Sequence, residues 1–332
     1  MKLNCGLGRL FGFAAFIACL CMQPGAGALA QTYPSRPIKI FVPFPPGNSA
    51  DAAARTLADE LVRRLGQPVV VENRPGATGS IGALAVAKSP ADGYALLLAS
   101  TAFTISTALG APYDVAKDFQ PVALVGVVGP MILIAAPSFP ASTLLQTVEL
   151  LKSNPRKYSY AHLGPGTISH LTMENFLSLI GAEAVGVQYR GSVQAITDII
   201  GSQIPLMFDS PSSAVSFIES GKIKALAVAS DIRSNRLPNV PAVTESGIAA
   251  VKNFHSSGWV GLLAPANTPR DIVLRLNAEL TAIAQLPAVK QRLYLQGIDT
   301  VPQQSPEKFG EFLKGDMERW QAAATAAKVV KQ

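Results

Sequence analysis

The chain has 332 residues, 48% of them hydrophobic and only 15% charged, with 28 basic and 22 acidic residues for a net charge of +6. A soluble domain carries roughly 25% charged residues, so this composition excludes a disordered polyelectrolyte and gives no dense basic cluster for DNA or RNA. The length suffices for about two domains.

The first element in chain order is an apolar run over 10–22, behind Lys2 and Arg9 and ahead of Pro24-Gly25 and Ala28-Leu29-Ala30. Such a run falls short of the roughly 20 residues that span a bilayer as a helix. A basic start, a short apolar stretch and small residues at its end form a secretory signal peptide, with cleavage expected after Ala30. Cys19 behind Phe16-Ile17-Ala18 leaves lipid attachment as an alternative. All three cysteines, Cys5, Cys19 and Cys21, fall in the removed segment, so the mature chain offers no disulfide, thiolate metal site or cysteine nucleophile. Loss of Lys2 and Arg9 takes the 28 basic residues to 26 against 22 acidic ones, a net charge of +4. That mild balance suits a small anionic ligand without requiring one.

The mature chain alternates strands and helices. An apolar β-favouring run over 38–43 precedes a helix carrying Ala53, Leu57, Leu61, Val62 and Leu65 at helical spacing. A strand is expected at 69–72, a glycine-rich turn at 76–82 leading into a helix through 83–88, and a strand at 94–99. The rhythm continues with strands at 131–136, 158–161, 184–188, 204–208 and 225–229. Helices are expected at 143–153, 169–180, 193–201 and 212–220. After a proline-rich stretch at 236–247 comes a strand at 260–264, then helices at 270–286, 287–296 and 306–330. This alternation implies parallel βαβ units in two open α/β sheets.

Ligands of such sheets bind outside the carboxyl ends of strands. The loops to inspect are therefore 44–50, 100–104, 162–167, 189–192 and 209–213, each rich in Gly, Ser or Thr. Amides at helix starts can hold an anion without arginine; taken singly, the same residues serve equally as turns and caps.

At these loops the sequence resembles the Bug receptors, the extracytoplasmic solute receptors of tripartite tricarboxylate transporters. The motifs are Tyr33-Pro34-Ser35-Arg36-Pro37-Ile38, Val42-Pro43-Phe44-Pro45-Pro46-Gly47 and Val71-Glu72-Asn73-Arg74-Pro75-Gly76-Ala77. They continue through Asp92-Gly93-Tyr94, Tyr189-Arg190-Gly191, Met207-Phe208-Asp209, Leu237-Pro238-Asn239-Val240-Pro241, Gly261-Leu262-Leu263-Ala264-Pro265 and Arg275-Leu276-Asn277-Ala278-Glu279. The resemblance implies a two-lobed, type II periplasmic binding-protein fold with a ligand cleft between lobes. The first lobe would combine 33–134 with 257–332 and the second would be 135–256, with 127–136 and 257–264 carrying the chain between them. It implies a small carboxylate or amino-acid ligand, permease subunits as membrane partners, a monomer, a periplasmic location, and no cofactor, metal or catalytic residue.

Carried over to this sequence, the resemblance assigns Phe44, Pro46, Gly47, Asn48, Ser49 and Asp51 to the ligand site of the first lobe, with Ser100 and Thr101 as hydroxyl donors. Asp51 is open between helix N-cap and partner of a ligand ammonium or hydroxyl. From the second lobe come His162, Gly164, Gly166, Thr167, Tyr189 and Asp209. The family usually has a second glycine where Asn48 stands, a serine in place of His162 and a lysine in place of Arg190. Asn48 and His162 therefore imply an altered ligand preference. His162 is either an anion contact or a structural strand-end residue; His170 reads as structural and Arg190 as a surface or lobe-packing residue.

Other classes fare worse. Thr78-Gly79-Ser80-Ile81-Gly82 lacks the first glycine of a nucleophile elbow, and no His-Glu-x-x-His pair is present for metal chemistry. The Gly-x-x-Gly-x-x-Gly spacing of 76–82 departs from the dinucleotide fingerprint and reads as helix–sheet packing. A secreted hydrolase and a receptor for a signalling kinase stand as the alternatives to a transport receptor.

Overall fold

The computed structural model describes residues 33–327 and 329, so the expected signal peptide and its cleavage after Ala30 lie outside the described residues. The first part of the chain forms β1 (Ile38–Val42), α1 (Ser49–Leu65), β2 (Val69–Asn73), a short turn of 3-10 helix (Ala77–Gly79), α2 (Ser80–Ala87), β3 (Ala95–Ser100), α3 (Thr101–Ala108), α4 (Val115–Asp118) and β4 (Phe119–Pro130). After Met131 follow β5 (Ile132–Ala135), α5 (Leu144–Ser153), β6 (Ser159–His162), α6 (Ile168–Ile180), β7 (Val185–Gln188), α7 (Ser192–Ile200), β8 (Leu206–Asp209), α8 (Pro211–Glu219) and β9 (Lys224–Val228). The chain then returns through β10 (Ser257–Pro265), α9 (Arg270–Gln285), α10 (Pro287–Leu295), β11 (Ile298–Thr300) and α11 (Pro306–Ala326).

These strands form two sheets, one of six strands in the order β11-β4-β10-β3-β1-β2 and one of five in the order β7-β6-β8-β5-β9. Both lie within the unit Arg36–Gln332. β1 pairs in parallel with β2 and β3, and β6 with β7 and β8, as βαβ units require. The sheets are not wholly parallel. β10 runs antiparallel to β3 and β4, and β5 antiparallel to β8 and β9. β5 and β10 are the strands each sheet receives directly from the other, so they enter against the direction of the βαβ strands.

Burial explains the strand sequences. Leu96, Leu97 and Leu98 of β3 are fully buried, as a strand covered on both faces demands. Each such side chain contributes about 1.5–3 kcal/mol of apolar burial. β7 lies at a sheet edge, and all four of its residues are exposed.

At the crossing the backbones bind one another: Met131 N–H donates to Ser256 O (2.8 Å), Ser256 N–H to Ala229 O (2.9 Å) and Ala229 N–H to Met131 O (2.8 Å). Beside it, Ile168 and Leu171 of α6 pack against Ile105, Ala108 and Leu109 around α3 and against Trp320, Ala323 and Ala324 of α11. This apolar seam joins the two lobes next to the crossing strands.

Candidate functional site

All five loops singled out by sequence lie where a strand ends and a helix begins. The loops after β1 and β3 are neighbours because those strands pair, and the loops after β7, β6 and β8 are neighbours for the same reason. The lobes approach each other closely at points of this arrangement. A Cβ on Gly166 would stand 2.5 Å from Leu109 Cδ1, and one on Gly129 3.0 Å from Pro211 Cγ at the start of α8. The second-lobe loops therefore face the first lobe.

In the first lobe, Asn48 is the N-cap of α1, its Oδ1 accepting the N–H of Asp51 at 2.8 Å. Asp51 is thus not the cap; it sits three residues inside, and its buried carboxylate is fully occupied. Oδ2 accepts Gly47 N–H (3.0 Å) and Arg55 Nε (3.1 Å), while Oδ1 accepts Asn73 Nδ2 (2.9 Å) and Arg55 Nη2 (3.0 Å). Burial pushes this carboxyl upward, but the bonds from Arg55, Gly47 and Asn73 outweigh it and hold its pKa below the ordinary value. Asp51 shapes the loop. Pro46, Gly47 and Ser49 are exposed on the loop, and the first-turn amides of α1 have no intrahelical partner.

Phe44 and Ser100 line one recess together with Pro43, Thr78, Gly79, Ala102, Phe103 and Tyr113. Thr101 is buried, and its Oγ1 accepts the N–H of Trp259 at 2.9 Å, tying the start of α3 to β10. Asp316 of α11 reinforces that tie by accepting Thr104 Oγ1 (2.6 Å) and Trp259 Nε1 (2.8 Å).

In the second lobe, the loop after β6 is held by its own side chains. Thr167 Oγ1 donates to Gly164 O (2.7 Å), and Ser169 Oγ accepts Leu163 N–H (3.1 Å). Gly164 N–H donates to His162 Nδ1 (3.1 Å), and Gly166 N–H to His170 Nδ1 (3.3 Å). The two imidazoles lie 4.6 Å apart between ring centroids. Burial lowers both pKa values, that of His170 to about 4 with His162 as the second cause. Asp209, buried at the end of β8, accepts Ser192 Oγ (2.8 Å) and Ser210 N–H (2.9 Å) on Oδ1 and Ser213 Oγ (2.8 Å) on Oδ2. It organises the starts of α7 and α8. Tyr189 donates its hydroxyl to Asp198 at 2.9 Å, and Arg190 is exposed.

Among the described residues no group of three or more His, Cys, Asp or Glu is arranged to hold a metal. The arrangement is a set of helix starts and hydroxyls on two facing lobes, suited to binding an anion by backbone dipoles. Residues 53–328 match the tripartite tricarboxylate transporter family receptor. The chain belongs to that receptor family. It is 37% identical over 295 residues to protein BugT of Bordetella pertussis (strain Tohama I), covering 88% of this chain and 89% of BugT. The structure of periplasmic binding protein BugD superposes with a TM-score of 0.72 at 35% identity, covering 90% of this chain and 100% of that one. MatC from Rhodopseudomonas palustris with bound malate does so with a TM-score of 0.72 at 29% identity, covering 88% and 99%. Members of this family are solute-binding receptors working with a tripartite transporter, and this chain is one of them.

Sequence reasoning about this receptor missed Thr78 and Gly79, taking 76–82 as helix–sheet packing alone. Four successive residues there have positive φ: Gly76 (123°), Ala77 (45°), Thr78 (53°) and Gly79 (91°). Ala77 and Thr78 rarely adopt that region, and strained backbone gathers at binding sites. The flanking glycines were the only signal in the sequence.

Proposed function

We propose that this receptor captures a small carboxylate-bearing solute between a lobe of residues 33–134 plus 257–332 and a lobe of residues 135–256, and hands it to permease subunits in the membrane. The ligand is held by the loops carrying Phe44, Pro46, Gly47, Asn48, Ser49, Ser100 and Thr101 on one side and His162, Gly164, Gly166, Thr167 and Tyr189 on the other, with Asp51 and Asp209 bracing them from behind. The receptor acts as a monomer, catalyses no reaction, and reaches the periplasm by cleavage after Ala30.

The observation that carries this reading is the placing of five strand-to-helix loops on two lobes that meet at Gly166 and Leu109. The first-turn amides of α1, which have no intrahelical partner, and the helix starts of the second lobe match a carboxylate, and malate is the ligand bound in the structure of MatC. Closure would desolvate the ligand and strengthen each hydrogen bond to it.

The test is a thermal-shift panel of mono-, di- and tricarboxylates, amino acids and aromatic acids, since a ligand that binds only the folded state raises its apparent stability. A rise with one or more carboxylates and no turnover is expected. No rise with any acid, or release of a product, overturns the reading.

A further inference from the structure

The loop 163–167 is gripped by two histidines in an arrangement that depends on their proton state. A backbone N–H can only donate, so His162 Nδ1 and His170 Nδ1 must each present a lone pair to Gly164 and Gly166. Each ring then carries its proton on Nε2 and is neutral. A doubly protonated imidazole has no acceptor, and a charge on one ring would repel a charge on the other across 4.6 Å.

The two grips differ in origin. His170 is the third residue of α6 and reaches back to the residue before the N-cap Thr167. His162 ends β6 and reaches forward two residues from the sheet. Together they fix the loop from both ends. They also engage the two glycine amides that would otherwise be free to donate to an anion.

We propose that His162 and His170 act as positioning residues for the ligand, a pair of neutral Nε2–H imidazoles that hold loop 163–167 in its binding form by accepting the amides of Gly164 and Gly166. The inference rests on the reading of this loop as part of the solute cleft. The titratable groups around the pair are few. From β6 comes the Tyr160 ring, 5.8 Å from that of His162, with its hydroxyl bonded to Glu174 of α6. The Glu174 carboxylate favours a proton on His162 and so opposes burial. From β7, Gly186 and Gln188 add no charge.

Protonation of either ring removes an amide acceptor and loosens the loop. Binding weakens with acidification for that reason, even where a charged histidine would by itself attract a carboxylate more strongly.

The first measurement uses the ligand-free protein. Long-range proton–nitrogen NMR spectra of the imidazoles near neutral pH should show both rings protonated on Nε2 alone. On acidification the amide signals of Gly164 and Gly166 should move together with ring protonation. A ring protonated on Nδ1 near neutral pH, or glycine amides that ignore the titration, overturns the proposal.

The second measurement uses the carboxylate that binds most tightly in the panel above. His162→Ala should weaken its affinity about tenfold, the loss of one hydrogen bond's worth of loop order. His162→Asn, whose Oδ1 reaches the position of Nδ1 but does not titrate, should recover most of that loss and flatten the pH profile. An Asn variant no better than Ala, or an Ala variant as tight as the parent, also overturns it. If no acid of the panel binds, the solute-receptor reading falls, and the clasp is judged by the NMR titration alone.

Discussion

The loop that opens α1 in the first lobe and the loop that opens α6 in the second perform the same local task with opposite chemistry. In each, a side chain three residues into the helix accepts the N–H of the residue just before the N-cap: Asp51 takes Gly47 at 3.0 Å, and His170 takes Gly166 at 3.3 Å. The first acceptor is a carboxylate whose charge is supported by Arg55 and Asn73. The second is an uncharged imidazole packed against another. A charged acceptor is stronger and holds its proton state over a wide pH range; a neutral imidazole holds the amide only while it stays unprotonated. The first-lobe loop is thus a fixed wall, and the second-lobe loop is the adjustable one.

Removing the two acceptors tests that contrast most severely. Asp51→Ala leaves the Arg55 guanidinium, the Asn73 amide and the Gly47 N–H without their shared partner and should cost about 2–3 kcal/mol of unfolding free energy. His170→Ala removes one neutral hydrogen bond and should cost about 1 kcal/mol through that bond. Urea unfolding of the two variants gives the comparison. Equal losses would mean that the carboxylate and the imidazole do equivalent jobs.

The glycines in the same two loops sharpen it further. Gly47 has φ +89° with open space where a Cβ would stand, whereas Gly166 has φ +74° with Leu109 of the other lobe 2.5 Å from that point. Alanine at either site carries the left-handed backbone penalty of roughly 1–2 kcal/mol. Only Gly166→Ala also pushes on the first lobe. Its ligand affinity should therefore fall by about tenfold, further than that of Gly47→Ala, where an added Cβ meets no protein atom within 4 Å; isothermal titration beside thermal unfolding separates them, and equal affinity losses would remove the distinction.

Much of this layout was legible in the sequence, and its gaps have physical causes. The glycine-, serine- and proline-rich segments after each apolar run marked the loops, because strand ends and helix starts demand those residues. The long strand β4 has no strand expectation in the sequence, where 127–130 stands only as part of a crossing between lobes, since Pro121, Gly126, Gly129 and Pro130 punctuate it. The structure accommodates them with register shifts against β10 between Ser257 and Gly258, Val260 and Gly261, and Leu262 and Leu263. Helix α3 is not legible in the sequence: its first residues fall in the loop 100–104, and Thr101, Thr104, Ser106 and Thr107 make the stretch rich in hydroxyls. Several of these hydroxyls are in fact paired with carbonyls or with Asp316. Strand direction was also out of reach, because the pairing of β10 with β3 joins residues more than 150 positions apart. Partner choice at Asp51 and His170 was least visible: both acceptors lie on helix positions where sequence suggests a cap or a structural role, and only the fold shows which amide each one takes.

The smallest expected effect is on stability in mild acid. Burial holds the folded-state pKa of His170 at about 4 and that of His162 below its ordinary value of 6.5, and His255 is shifted the same way, chiefly by burial. The unfolded chain therefore takes up protons first as pH falls. These rings contribute stability that is present above about pH 6.5 and is lost as pH falls below it, toward pH 4 in the case of His170. Asp51, whose pKa is also depressed, contributes stability that is present above its ordinary value of 3.8 and is lost only as pH falls below it. Between about pH 7 and pH 6 the melting temperature should drop on the order of one degree through His170, with a further drop in the same direction from His162 and His255. The double variant His162→Asn with His170→Asn should lose the share of that slope due to the second-lobe loop and keep the share due to His255. A slope unchanged in the double variant would place the acid sensitivity elsewhere, and the two loops would then differ in charge without differing in response to protons.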